Sequence, residues 1–343
     1  MSQTLSPDHL LDTRGVHAAF GAFVVGAAFD RGGVAAFALG DGTLRLRCGD
    51  AWHSVAAHDG GVLALAPDAR AEGFLSGGDD GRFLRVGRDG TIAELAGFGM
   101  KWVEHVASFA GGKAQVLACA VGRQVHLFDG AGGRLKTLTH PSAVTGLVFD
   151  ARGKRVAASH YNGASLWFVA SKTDNPRLLE WKGSHTAIAI SPDGDSVVTA
   201  MQENALHGWR LSDGQHMRMS GYPGKTRALS FTRSGKWLAT SGAETIVLWP
   251  FTGGGPMGKA PTELAGADTV TCTDVACYPQ HEVVAAGFSD GMVLLADLAG
   301  DRILPVAGSG RGPVSALAWS GDGTRLAFGT ESGFAAVVDF SST

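Results

Sequence analysis

VSALAWSGDGTRLAFGTESGFAAVVD, running from Val314 to Asp339, reads as strand, turn, strand, turn, strand. The first strand carries Val314, Leu317 and Trp319, the first turn is Gly321-Asp322-Gly323, and the second strand carries Leu326 and Phe328. The turn Ser332-Gly333 follows, and a third strand ends at Val337-Val338-Asp339. The same phrase recurs with drift along the whole chain.

Its first apolar position falls near Val24, Val62, Val103, Val144, His185, Thr226, Val270 and Val314. The mean period is about 41 residues, within the window of a four-stranded propeller blade. Turns after the first strand repeat as Pro67-Asp68, Asp150-Ala151-Arg152-Gly153, Ser191-Pro192-Asp193-Gly194 and Arg233-Ser234-Gly235. The next hairpins are Asp41-Gly42, Asp80-Gly81, Asn162-Gly163 and Asp290-Gly291, dipeptides that accept positive φ in two-residue turns. Third strands alternate, as in Thr43-Leu44-Arg45-Leu46-Arg47 and Val125-His126-Leu127-Phe128-Asp129, which predicts one buried and one outward face.

On these residues the chain resembles the WD40-repeat family over essentially its whole length. The Ser-Pro-Asp-Gly turn, the Asp-Gly hairpins and Trp167, Trp209 and Trp249 at the ends of third strands carry the resemblance. The name-giving Trp-Asp dipeptide does not: those tryptophans precede Phe168, Arg210 and Pro250. The expected fold is all-β, a single propeller domain over residues 1–343, built of four-stranded antiparallel blades. Eight blades are predicted, with seven as the alternative if the third unit, with its Ala110-Gly111-Gly112 turn, is not a blade. Units one to seven continue into a fourth strand, whereas the eighth has three, so residues 10–19 are expected to pair with the last blade and close the ring.

Composition agrees: 50 glycines supply turns, 45% apolar residues supply a core, and no sustained helical stripe or linker interrupts the period. Ser171 to Arg177 and Thr252 to Thr262 lengthen loops after third strands. A net charge of −3 gives no electrostatic reason to expect nucleic acid, and Arg45, Arg47, Arg82, Arg85 and Arg88 read as a solvated strand face. Cys48, Cys119, Cys272 and Cys277 show neither a disulfide framework nor a zinc spacing. Met1 to Asp12 lacks a basic start and apolar run, and no eighteen-residue apolar stretch exists, so the cytoplasm is the expected location and no membrane partner is expected.

The resemblance implies a structural hydrogen-bond network of histidine, Ser or Thr, Trp and a hairpin acid. Its best match is His185, Thr199, Glu203 and Trp209; His140, Ser159 and Trp167 form a partial one. No metal, cofactor or catalytic set is expected: Gly-x-Ser-x-Gly, Walker and His-Glu-x-x-His sequences are absent. The tail Gly224-Lys225-Thr226 precedes a strand, unlike a phosphate loop.

Mapped onto the family plan, Lys101, Trp102, Tyr161, Met201, Gln202, Tyr222, Lys225, Phe288 and Arg311 lie near the top rim, with Tyr161 and Tyr222 on exposed turns. The implied function is a non-catalytic scaffold binding a protein or peptide through that face, by itself or as a complex subunit. The alternative is an enzyme or a small-ligand or metal site at the channel mouth. There the first strands are rich in Ala, Gly, Ser and Thr, with Glu104-His105 and Thr273-Asp274 as the acidic interruptions.

Overall fold

Along Thr43–Cys48, Leu44 and Leu46 are buried while Arg45 and Arg47 take the other phase, so the alternation of the third strands becomes alternate burial. A computed structural model describes residues 6–112, 114–266, 269–300 and 302–341. The described residues are all-β apart from one short helix, with neighbouring strands paired antiparallel.

The first unit shows the plan: Val24–Phe29, Ala35–Leu39, Thr43–Cys48 and Ala51–Ala56 lie in that order across one sheet. Among the described residues there are seven hydrogen-bonded sheets, six of four strands and one of six. The six-stranded sheet holds the fourth and fifth units. Its element Arg155–Phe168 turns back on itself at Asn162 (φ 68°) and Gly163 (φ 135°), and the Val169 amide donates to the Lys154 carbonyl across the base of that hairpin. Its element Arg177–Ile190 pairs with the fourth unit through Arg177 to Ser184 and with the fifth from His185 onward. The first strands of all the units touch in cyclic order, from Val24–Phe29 round to Val314–Trp319 and back. The ring therefore carries eight repeat units in seven continuous sheets. The expected weak point was wrong: the third unit is a complete sheet of His105–Gly111, Ala114–Val121, Gln124–Asp129 and Arg134–Thr139.

The ring closes as expected, but with a shorter strand. Gly15–Ala19 pairs antiparallel with Phe334–Asp339, from Gly15 opposite Val338 to Ala19 opposite Phe334. The preceding His9–Arg14 is helical, a correction to the expected strand from residue 10. The helix buries Leu11 against the last two units, and the Asp8 carboxylate accepts from the Gly308 amide at 2.7 Å. A helix of six residues is too short to show an apolar stripe.

The core lies between neighbouring sheets. Val55, Val62, Phe74 and Leu84, for example, bring the first two units together, and Phe37, Phe74, Phe83, Phe128, Phe288 and Phe328 are fully buried. Hydroxyls near the inner edge add contacts from one unit to the next: Ser315 donates to the Val24 carbonyl at 2.6 Å and Thr273 to that of Val314 at 2.7 Å.

The arginines are less solvated than expected. Arg85 is buried and forks onto Asp68 at 2.5 and 3.3 Å while donating to the Gly130 carbonyl of the third unit at 2.8 Å. Arg88 of the second unit forks onto Asp30 of the first at 2.5 and 2.8 Å. Arg45 and Arg47 lie over the rings of Phe20 and Trp52. Planar guanidinium groups hold carboxylates and aromatic faces in fixed geometry, so several of these side chains clamp neighbouring units.

Candidate binding face and inner wall

Hairpins between second and third strands and the loops leading into each first strand make up the top rim. Gly99 to Trp102 and the turn at Asn162 belong to it, in the third and fourth units. Here the large apolar side chains escape burial: Met100 is 96% exposed, Trp102 56% and Tyr161 58%. Trp102 precedes its strand, which begins at His105, and is not packed between sheets. Lys101, Gln202 and Lys225 are exposed.

Four other expected rim residues are not free. Tyr222 is 8% exposed, and its hydroxyl accepts from the Trp249 indole N–H at 2.6 Å and meets the Thr240 hydroxyl at 2.6 Å. Thr240 in turn donates to the Val247 carbonyl at 3.1 Å. Met201 and Phe288 are buried. Arg311 pairs with Asp8 at 3.0 Å, donates to the Gly308 carbonyl at 2.9 Å and lies over Phe334.

The expected network is assembled only in part. His185 bonds the Thr199 hydroxyl at 2.7 Å, but its other ring nitrogen donates to the Trp181 carbonyl at 2.9 Å. Trp209 turns to the Glu180 carbonyl at 3.4 Å, and Glu203 is an exposed hairpin residue that hydrogen-bonds neither. In the fourth unit Trp167 donates directly to His140 at 3.1 Å, while Ser159 meets Thr145.

The fuller histidine–hydroxyl–acid set is in the second unit, where His58 bonds Asp80 at 2.9 Å and Ser76 at 3.0 Å. Burial alone would raise the Asp80 carboxyl, yet hydrogen bonds from His58 and the Arg82 amide hold it below its usual range. Ser76 was missed because Val86, not a tryptophan, stands two residues beyond its third-strand partner Leu84, where Trp209 and Trp249 stand in their own units. Also unforeseen is a stack beside His185: the rings of Trp181 and His207 lie 3.9 Å apart, and His207 bonds His216 at 2.9 Å. Burial pushes His207 down to about 3, with His216 adding to the effect.

On the inner wall, the positions two residues beyond Val24, Val62, Val103, Val144, His185, Thr226, Cys272 and Val314 are Gly26, Ala64, His105, Gly146, Ala187, Ala228, Asp274 and Ala316. Small residues fit because the next unit is close: a Cβ on Gly146 would lie 3.2 Å from Ile188 and 3.3 Å from the Ala187 backbone. Burial lowers His105 to about 4 and raises Asp274 to about 7, against the hydrogen bond from the Val275 amide. These residues belong to the third and seventh units, on opposite sides of the ring, so they do not form an acid–base pair. Among the described residues no group of three or more His, Cys, Asp or Glu side chains is placed to hold a metal ion. No described helix is long and apolar enough to cross a membrane.

Comparison with known proteins agrees with this architecture. Residues 275–343 match the family described as the anaphase-promoting complex subunit 4 WD40 domain. Autophagy-related protein 16 of Arabidopsis thaliana is 23% identical over 86% of this chain and 58% of its own length. The WD repeat-containing protein slp1 of Schizosaccharomyces pombe is 26% identical over 51% of this chain and 38% of its own. The chain thus corresponds to less than two thirds of either relative. Among solved structures, the computationally designed Ika8 protein superposes with a TM-score of 0.74 at 19% identity, covering 94% of this chain and 97% of that one, a likeness of fold alone. Repeat pattern, ring and relatives together support a WD40-repeat β-propeller.

Proposed function

We propose that the protein is a non-catalytic scaffold that binds a protein or peptide through the top rim of its third and fourth units, in the cytoplasm and as part of a larger assembly. The carrying observation is the exposure of Met100, Trp102 and Tyr161 on neighbouring units of a ring whose other large aromatic residues are mostly packed. Exposed aromatic and Met side chains on rigidly held loops are suited to becoming the desolvated centre of an interface. The match to the WD40 domain of a complex subunit and the likeness to a WD repeat-containing protein support a role in assembly.

The test is affinity capture from the native cells with the intact protein and a Trp102→Ala, Tyr161→Ala variant. A stoichiometric partner should fall at least tenfold in the variant while thermal unfolding is unchanged, since both side chains are exposed. Equal recovery would overturn the assignment of this rim. A ligand site at the channel draws support from the Asp274 carboxyl, and an Asp274→Asn substitution that abolished binding of a copurified small molecule would favour it.

A further inference from the structure

The loop leading into the sixth unit and that unit's hairpin and outer strands surround a cavity of about 350 Å³. Tyr222 and Trp249 form part of its lining, Pro223 and Pro261 add apolar surface, and Glu244 and Glu263 supply carboxylates. Both glutamates are exposed, and among the described residues neither forms an ion pair. Glu263 accepts one hydrogen bond, from the Thr245 hydroxyl at 3.2 Å. Among the described residues no lysine, arginine or histidine lines the cavity.

From this combination we propose that the cavity is a receptor for one cationic side chain, lysine or arginine, of a bound polypeptide. The inference rests on the scaffold reading and names the partner's recognition element. Three features select that class. The polar atoms of the aromatic lining are already engaged, Trp249 with Tyr222 and Tyr222 with Thr240, so the exposed edges of these largely buried rings, with Pro223 and Pro261, offer apolar surface to an aliphatic stem. Aromatic faces attract a cation and repel an anion. The two carboxylates have open acceptor sites for ammonium or guanidinium donors. The volume is at the small end of ligand cavities, suited to one side chain and too small for a large cofactor.

The experiment titrates the full-length protein with acetyl-Gly-Arg-Gly-amide, its lysine analogue and its norleucine analogue, following the Trp249 indole and Thr245 amide resonances. A second arm uses Glu244→Gln, Glu263→Gln protein, whose exposed substitutions keep the fold. Saturable shifts with a cationic peptide, at least tenfold weaker with norleucine and at least tenfold weaker in the double variant, are expected. No saturable shift, equal binding of norleucine, or undiminished binding by the variant overturns the inference. Parallel affinity capture separates the two readings. A partner that needs Trp102 and Tyr161 but ignores the glutamates overturns the cavity and leaves the scaffold intact; a protein recovered alone overturns the scaffold.

Discussion

The second and sixth units meet the same structural need with different chemistry. In the second, an imidazole ties the incoming loop to Ser76 and to the hairpin acid Asp80, and below it Arg85 and Asp68 form a buried ion pair. In the sixth, the phenol of Tyr222 takes the loop position and links Trp249 to Thr240 without any charge. What the fold requires at this place is a planar group that can both donate and accept between a loop and the second strand; histidine is one way to meet it. The difference shows in how each unit fails, because stranding a buried charge costs more than stranding a buried hydroxyl.

The largest effect should come from the charged side. Asp68→Ala leaves the Arg85 guanidinium buried beside only carbonyl oxygens and is expected to cost about 3–5 kcal/mol in denaturant unfolding. A loss under 1 kcal/mol would show that the clamp is dispensable.

Next comes an alkaline limb belonging to the sixth unit. Burial raises the Tyr222 hydroxyl to about 12 from an ordinary value of 10. The neutral phenol is thus favoured in the folded state: its contribution is complete below pH 10 and is lost as pH rises towards 12. The loss is about 2–3 kcal/mol. Unfolding followed from pH 9 to 12 should show this slope in the native protein and lose it in Tyr222→Phe.

At neutral pH, Tyr222→Phe removes the acceptor of the Trp249 N–H and is expected to cost about 1–3 kcal/mol. Equal stability would mean that the phenol is only packing. The smallest effect is expected at the hairpin acids. Asp80→Asn, which weakens the bond from His58, should cost about 1 kcal/mol, whereas Glu203→Gln should stay within about 0.5 kcal/mol because no hydrogen bond to His185 exists to be lost. Matching losses at the two positions would restore Glu203 to the network.

The candidate site was only partly legible. Trp102 and Tyr161 were readable as rim residues because the repeat fixes which loops face that way. Tyr222 was misread because Gly221-Tyr222-Pro223-Gly224 has the composition of an exposed turn, while its side chain folds under the loop to reach Trp249. The engagement of Arg311, placed only near the top rim, was not legible because its partner, Asp8, lies about three hundred residues away in sequence and is brought near only by ring closure.

By itself the sequence determined the repeat, its period, the all-β class, the propeller and the need for a closing strand, since alternation and glycine turns are local signals that recurrence makes specific. Tertiary structure alone decided that the fourth and fifth units share a continuous strand, that His9–Arg14 coils before the closing strand, and which arginines clamp neighbours. It also decided that Glu244, Glu263, Tyr222 and Trp249 face one cavity. These outcomes depend on which surfaces two units bring together, and pairings between units leave no periodic trace along the chain.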